Sequence, residues 1–214
     1  MKTQQLSIII IIAIIVTVGM TILTFLTLQN NIDRQNQLEK IQARVHAPTD
    51  NGTKYVKIND MAPNSSLIFV YPYTGNETFD SETFRKWILI RLPIHDSGNK
   101  DDISSYRAYS AVDIQLWCLI KYWPQHEWLE DPCHGSLYEP VYGTPFAGPA
   151  VDYAFKNNAL PQLDLGVDDE GYIYVKPPIL EIDKNGQIGY GRKLPSDLIE
   201  KYREIGKSGL TALQ

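Results

Sequence analysis

Residues 113–150 read DIQLWC-LIKYWPQHEWLE-DPCHGS-LYEPVYGTPFA-GPA, and this stretch decides the fold. It holds both cysteines of the chain, Cys118 and Cys133, and it ends in a Gly-Pro-Ala loop signal. Two cysteines either form one structural disulfide, which needs an oxidising compartment, or remain as two free buried thiols. The composition alone leaves both states open.

Two segments of this stretch, Asp113–Cys118 and Asp131–Ser136, resemble the two cluster-binding boxes of Rieske iron–sulfur proteins, C-T-H-L-G-C and C-P-C-H-G-S. In that family each box supplies one Cys and one His to a [2Fe–2S] cluster, and the remaining Cys of each box joins the other in a disulfide. The resemblance therefore implies a disulfide between Cys118 and Cys133. It places the family's four cluster-ligand positions at Asp113, Gln115, Asp131 and His134.

Of these four positions, only His134 carries the residue type of the family. A Rieske cluster needs two thiolates on one iron and two imidazoles on the other. Carboxylates are hard oxygen donors and an amide is neutral, so neither replaces sulfur or imidazole around ferric iron. We therefore predict no bound cofactor, and [2Fe–2S] is implied by the resemblance alone. His134 is the one candidate metal ligand.

The surroundings of the family's cluster are kept although its ligands are not. By resemblance, Ser136 and Tyr138 match the residues that donate hydrogen bonds tuning the cluster, and Gly148 and Pro149 match the loop that covers it. A structural interpretation suffices: these residues and the disulfide support a fold that has lost its redox centre.

The segment from Leu6 to Leu28 contains no charged residue and is long enough, as a helix, to cross a bilayer. A signal peptide would have a shorter apolar region and a small-residue cleavage site, so we predict an uncleaved anchor. Three N-glycosylation sequons, at Asn51, Asn64 and Asn76, favour an extracytoplasmic head and an N-terminus inside.

Thirteen prolines, fourteen glycines and thirteen tyrosines indicate short strands and many turns. With the resemblance, they predict an all-β head of antiparallel sheets with a small cluster-binding-type subdomain, on one N-terminal transmembrane helix. We divide the chain into a transmembrane anchor (1–28), a juxtamembrane segment and linker (29–54), a Rieske-like domain (55–176) and a C-terminal extension (177–214).

Within this scheme, residues 46–52 (HAPTDNG) are predicted to be a linker, because Pro48 and the Asp-Asn-Gly cluster interrupt a helix. Residues 67–71 and 87–92 are predicted to be buried strands, separated by a polar loop or short helix. The extension is predicted to form a hairpin around Asn185-Gly186, followed by a short helix that starts at Ser196.

The resemblance implies a membrane-anchored Rieske-type subunit of a cytochrome bc-type quinol-oxidising respiratory complex, in the lipid bilayer beside a cytochrome b-like subunit. Because three of four ligand positions are replaced, we predict a structural or interaction role, with no catalysis by this chain alone. By resemblance it is an electron-transfer subunit of an oxidoreductase. A net charge of −5 with scattered acidic residues does not suggest nucleic-acid binding.

Three alternatives remain open. The first is a functional [2Fe–2S] carrier that passes electrons from quinol to a cytochrome. The second is an anchored extracytoplasmic binding domain unrelated to respiration. The third is a mononuclear metal site, for which the sequence offers oxygen and nitrogen donors at Asp113, Asp131, His134 and His126.

Overall fold

The computed structural model describes residues 2–49, 52–73, 75–97, 102–113, 118–154, 159–176, 181–182 and 188–189. The chain forms two units, a helical unit that ends at Gln42 and a head that begins at Ala43. The head consists mainly of short antiparallel strands, and the prediction of an all-β head on one N-terminal helix is confirmed.

The helical unit is one helix, α1 (Lys2–Gln42), of 41 residues. Its described stretch Ile15–Gln42 is apolar and long enough to cross a membrane, by length and composition, and none of that apolar window is buried. The predicted anchor therefore continues as helix through the juxtamembrane segment up to Gln42. Thr21, Thr24 and Thr27 bond their hydroxyls to carbonyls of the preceding turn, so these polar groups are satisfied within the helix.

The described part of the head contains short strands joined by turns, three one-turn α-helices and two 3-10 turns. The helices are α2 (Glu77–Asp80), α3 (Ile94–Ser97) and α4 (Val151–Ala154). The strands are β1 (His46–Thr49), β2 (Gly52–Tyr55), β3 (Ser65–Val70), β4 (Lys86–Arg91), β5 (Tyr106–Ser110), β6 (Lys121–Trp123), β7 (Trp128–Glu130), β8 (Leu137–Tyr138), β9 (Pro145–Ala147), β10 (Gln162–Leu163), β11 (Leu165–Val167), β12 (Ile173–Val175), β13 (Glu181–Ile182) and β14 (Ile188–Gly189).

Two four-stranded sheets organise the head. The first, with strand order β10-β5-β4-β3, we name the base sheet; the second, with order β6-β7-β8-β9, we name the tip sheet. The predicted strands at 67–71 and 87–92 are present as β3 and β4, with α2 in the polar segment between them. Burial is confirmed for β4, whereas in β3 Phe69 is buried and Ile68 is exposed. Three further strand pairs, β1-β2, β11-β12 and β13-β14, complete the described sheets.

Strand β4 explains why the base sheet lies inside the head. Its sequence KWILIR is apolar at successive positions, and successive side chains of a strand point to opposite faces. Trp87 and Leu89 therefore join one core cluster, with Phe69 of β3, whereas Ile88 and Ile90 join a second cluster. Both faces of the base sheet are covered, so β4 is an apolar run without polar alternation.

The tip sheet packs on one of these faces. The second core cluster combines Ile88 and Ile90 of the base sheet with Tyr122, Leu129 and Tyr138 of the tip sheet. All three tip residues are buried, and Leu129 and Tyr138 are fully so. This shared core fixes where the loops between the tip strands begin and end.

The predicted linker at residues 46–52 differs from the structure. Strand β1 pairs with β2 in antiparallel register from His46↔Tyr55 to Thr49↔Gly52, and Ala47 is buried in the first core cluster. Pro48 and Gly52 interrupt a helix, but both lie in paired strands here. The head thus starts at Ala43, not at Tyr55.

A buried ion pair secures this N-terminal part of the head. Val45 N–H donates to Ile173 O at 2.8 Å, and Arg44 contacts the Asp168 carboxylate at 2.7 Å. Burial opposes ionisation of Asp168, but hydrogen bonds from Tyr172 N–H, Arg44 and Glu170 N–H outweigh it and lower its pKa. Asp168 opens the turn into β12, where Gly171 has φ +84°.

The C-terminal extension is described only at β13 and β14. Glu181 pairs with Gly189 and Ile182 with Ile188, in antiparallel register, which agrees with the predicted hairpin. The turn at Asn185-Gly186 and the helix predicted from Ser196 lie outside the described residues.

Candidate functional site at the tip of the head

Two loops adjoin the second core cluster, and we call these two loops the tip. The first follows β5: Val112 bridges to Leu119, and Asp113 N–H donates to Cys118 O at 2.8 Å. The second joins β7 to β8: Asp131 N–H donates to Ser136 O at 2.8 Å. The backbone therefore closes each predicted box at its two ends. Gln115 lies in residues 114–117, outside the described residues.

A disulfide between Cys118 and Cys133 joins the two loops, with 6.2 Å between the Cα atoms. The pairing implied by the resemblance is thus present, and the alternative of two free thiols does not hold. Cys118 is half-buried and Cys133 is exposed. Both cysteine sulfurs of the chain are in this bond, so no thiolate remains for a metal in this oxidised state.

Asp113, at the first ligand position, is buried with only 3% of its surface exposed. The hydroxyl of Tyr138 donates a hydrogen bond to its Oδ1. The ring of Tyr138 is fully buried in the second core cluster. Its hydroxyl therefore reaches the Asp113 carboxylate from the core. A charge-assisted bond of this kind offsets part of the cost of burying Asp113.

Asp131, at the third ligand position, is fully buried and accepts hydrogen bonds from its own loop. Its Oδ1 accepts from Cys133 N–H at 2.8 Å, and its Oδ2 lies 2.9 Å from His134 Nδ1. An aspartate that binds the N–H two residues further on is a turn-forming arrangement. Asp131 thus shapes the second loop, and His134, which is 36% exposed, faces this carboxylate.

The predicted cover loop does lie over the second box. Ala150 N–H donates to Ser136 Oγ at 3.2 Å, and Ser136 is fully buried. Gly148 has φ +79°, and a Cβ there would lie 2.3 Å from Gly135 O, so the position requires glycine. Pro149 stands exposed at the apex of the loop. Resemblance found these residues, while the close approach of Gly148 to Gly135 becomes visible only in the structure.

The donors proposed for a mononuclear site are not brought together as one set. Among the described residues, the ligand-type atoms within 4.8 Å of one another belong to Cys118, Asp131 and Cys133. Asp113 is not part of this group, and His126 stacks on Trp128 with ring centroids 4.4 Å apart.

One half-buried acid in the tip sheet escaped the sequence analysis. Glu139 accepts hydrogen bonds from the backbone N–H groups of Val141, Tyr142 and Thr144 at 2.7–3.2 Å, which closes the turn between β8 and β9. Burial raises the pKa of Glu139 above its usual range, although these N–H groups act in the opposite direction. In the sequence, a glutamate directly before Pro140 in a turn-rich segment is the signal that could have indicated this turn-closing acid.

These contacts test whether the residues fit a [2Fe–2S] cluster. Such a cluster takes soft thiolates and imidazoles, whereas the tip presents two carboxylates already engaged by Tyr138, Cys133 N–H and His134. The two sulfur atoms are bonded to each other. The described donor set does not fit the group.

Comparison with known proteins places this geometry in context. No family model matches the chain. It is 34% identical over 104 residues to the "Cytochrome bc1 complex Rieske iron-sulfur subunit" of Corynebacterium diphtheriae, covering 44% of this chain and 24% of that protein. The subunits of the same name from Corynebacterium glutamicum and Corynebacterium efficiens are each 36% identical over 78 residues, covering 36% of this chain and 18% of those proteins.

The chain therefore spans about a quarter or less of the length of these curated relatives. Among solved structures, the plasma membrane Rieske protein PetC3 from Synechocystis PCC 6803 aligns with a TM-score of 0.33 and 17% identity, over 43% of this chain and 77% of that one. At this score the superposition adds nothing to the sequence similarity. The predicted resemblance to Rieske proteins is confirmed for the matched part of the chain.

Proposed function

Because part of the chain is similar in sequence to Rieske iron–sulfur subunits, we propose that the chain is a Rieske-type subunit of a cytochrome bc-type quinol-oxidising complex. Within it, the head serves as a structural or interaction module that binds no [2Fe–2S] cluster. Helix α1 anchors it in the bilayer beside a cytochrome b-like subunit, with the N-terminus inside and the head extracytoplasmic.

One observation carries the cluster-free role: the carboxylates at two ligand positions serve the fold. Asp113 holds the Tyr138 hydroxyl, and Asp131 holds Cys133 N–H and contacts His134. A pair of ferric ions would have to be held here by hard oxygen donors in place of sulfur. The two carboxylates therefore have their hydrogen-bond partners within the chain. The redox chemistry of the complex would belong to another subunit.

What remains is a tip whose described residues are linked to one another. The disulfide joins the two loops, and the cover loop packs on Gly135 and Ser136 beside the second core cluster. These links favour contact with a partner, because groups that are already held in place lose less conformational freedom on binding.

Two features support the membrane arrangement. A third, the group of sequons, is weaker support than the sequence suggests. The apolar stretch of α1 supports an anchor, and a disulfide supports an oxidising compartment. Of the three sequons, however, Asn64 donates its side-chain N–H to Pro124 O at 3.0 Å and accepts from Tyr122 Oη at 2.7 Å. A glycan on that nitrogen would compete with this contact, so Asn76 is the better described acceptor.

The cluster-free role is tested on the full chain, purified in mild detergent from its native membrane. Visible absorption and low-temperature EPR of the dithionite-reduced protein are expected to match those of the His134→Ala variant, without a signal from a reduced cluster. A rhombic reduced-state signal that disappears in His134→Ala would instead establish the electron-carrier alternative.

Membership of the complex is tested separately by co-purification in the same detergent. We expect a cytochrome b-type protein, identified by its haem spectrum and by mass spectrometry, to remain with the full chain. A variant that lacks the tip staple, Cys118→Ser/Cys133→Ser, is expected to retain less of it. If no cytochrome b-type protein is retained, the chain is an anchored extracytoplasmic binding domain instead.

A further inference from the structure

We propose that the tip becomes a Zn²⁺ site when the Cys118–Cys133 disulfide is reduced, with Cys118 Sγ, Cys133 Sγ and an Asp131 carboxylate oxygen as its ligands. The inference goes beyond the proposed function, because it concerns the reduced chain and needs neither iron nor a partner subunit. In this family's pattern these two cysteines bridge the loops; here they are also the chain's whole supply of thiols.

The placement of the three donors is the first argument. The two sulfurs are adjacent because they are bonded to each other, and one carboxylate oxygen of Asp131 lies within 4.8 Å of both. Sulfur ligands of a tetrahedral zinc ion lie about 3.8 Å apart, as the usual Zn–S distance of about 2.3 Å requires. Once their bond is broken, the two sulfurs need only a small separation to reach this spacing, beside a carboxylate that is already in place.

Asp131 is buried yet retains the capacity to bind a cation. Each of its oxygens accepts one contact, from Cys133 N–H at 2.8 Å and from His134 Nδ1 at 2.9 Å. A carboxylate offers about four lone-pair positions, so coordination does not require either contact to break. These contacts would instead hold the carboxylate in position, as hydrogen bonds from outside the ligand set do in metal sites generally.

The bond that controls the site can be reached from solvent. Cys133 is exposed and Cys118 is half-buried, whereas structural disulfides that resist reduction are usually enclosed. A dithiol attacks one sulfur and displaces the other as a thiolate. A second thiolate then closes the oxidised dithiol, so two electrons pass to the two cysteines. Zn²⁺ binding to the resulting thiols releases their protons.

The chemistry of the donors selects the ion. Two thiolates with one carboxylate give a soft set, which suits zinc and disfavours magnesium or calcium. Three protein ligands leave the fourth tetrahedral position to water. Two thiolates, one carboxylate and Zn²⁺ carry a formal charge of −1 together, so the ion cancels two of the three negative charges of its ligands.

The test uses the full chain in detergent, reduced with tris(2-carboxyethyl)phosphine, which takes up oxygen from water as two thiols form. Zn²⁺ is titrated by calorimetry, and Co²⁺ is used as a spectroscopic probe. We expect one equivalent of metal per reduced chain and a sulfur-to-cobalt charge-transfer band. The oxidised chain is expected to show neither.

Two variants separate this site from other donors. Asp131→Asn keeps an oxygen that accepts from Cys133 N–H but loses the charge, and it should weaken Zn²⁺ binding at least about tenfold. His126→Ala, which removes a nearby imidazole outside the group of three, should leave the affinity unchanged. Circular dichroism of the reduced variants checks that each head remains folded.

Three results would overturn the proposal. One is equal Zn²⁺ affinity of the oxidised and reduced chains, which would place the site elsewhere. Another is a folded, reduced chain that binds no Zn²⁺. The third is Asp131→Asn binding with unchanged affinity. None of these depends on whether the native protein contains iron, so the proposed function is judged separately.

Discussion

The base sheet and the tip loops share one core but bury different kinds of groups. In the base sheet, Leu89 and Ile90 lie on opposite faces, and both are fully buried among apolar neighbours. At the tip, Asp113 and Asp131 are buried to the same degree, but as carboxylates held by hydrogen bonds and by a disulfide across the loops. The base sheet is therefore stabilised by burial of apolar surface, and the tip by specific hydrogen bonds and a disulfide.

This difference teaches how two loops can hold buried carboxylates. Replacement of a soft donor by a carboxylate leaves a buried charge, which must be neutralised or hydrogen-bonded. At this tip, Tyr138 and Cys133 N–H supply those hydrogen bonds from positions that also support the loops.

The largest effect is expected in the base sheet. Leu89→Ala should lower the free energy of unfolding by about 2–5 kcal/mol, because a fully buried side chain is replaced by a cavity. Leu119→Ala, at a position that is 39% exposed, should change it by less than about 0.5 kcal/mol. Denaturant unfolding of the full chain in detergent, followed by tryptophan fluorescence, measures both. Similar losses in the two variants would contradict the burial account.

The next largest effect concerns the Cys118–Cys133 disulfide. Cys118→Ser/Cys133→Ser should lower the free energy of unfolding by about 3 kcal/mol, since the disulfide closes a 15-residue separation in the unfolded chain. The same denaturant experiment on the reduced wild-type chain, without added metal, serves as the control and should give the same loss. A double variant as stable as the oxidised protein would show that the staple does not stabilise the tip.

A matched pair of tyrosines compares the two regions directly. Tyr138 of β8 donates to a carboxylate, whereas Tyr109 of β5 donates to Pro140 O at 3.1 Å, and both are fully buried. Tyr138→Phe should cost about 1.5–3 kcal/mol and Tyr109→Phe about 0.5–1.5 kcal/mol, because bonds to charged groups contribute more. Unfolding curves that reverse this order would remove the distinction between tip and base.

These paired sites also show what the sequence revealed and what it hid. Strand β4 could be predicted from its apolar run, because both of its faces are buried. The two boxes could be predicted from their resemblance to a family motif. The bond from Tyr138 to Asp113 spans 25 positions, so no local pattern announces it. The resemblance located both residues but assigned them to a cluster.

Strand β1 was missed for a related reason. Four residues that include Pro48 resemble a linker, and their place in the fold depends on β2 and on contacts near Ile173 that lie far along the chain. The contact of Asp131 with Cys133 N–H, by contrast, spans two residues, and an Asp-Pro turn signal predicts it in principle.

The smallest expected effect is acid sensitivity at the ion pair beside β12. The folded state lowers the pKa of Asp168 below its ordinary value of 3.8, so this stability is present above that value and is lost as pH falls through the folded pKa. Asp168→Asn should flatten this part of the pH profile, by on the order of 1 kcal/mol. Denaturant unfolding from pH 6 down to about pH 2 measures it, with Asp169→Asn as control. An unchanged profile in Asp168→Asn would exclude this ion pair as a source of stability.

The claim that the tip satisfies its own carboxylates and binds no cluster is tested most directly by iron and acid-labile sulfide. Both are measured in the full chain purified from its native membrane, beside His134→Ala prepared in the same way. We predict that the two proteins contain the same background level of iron and no acid-labile sulfide. About two iron and two sulfide per chain, lost in His134→Ala, would contradict the claim.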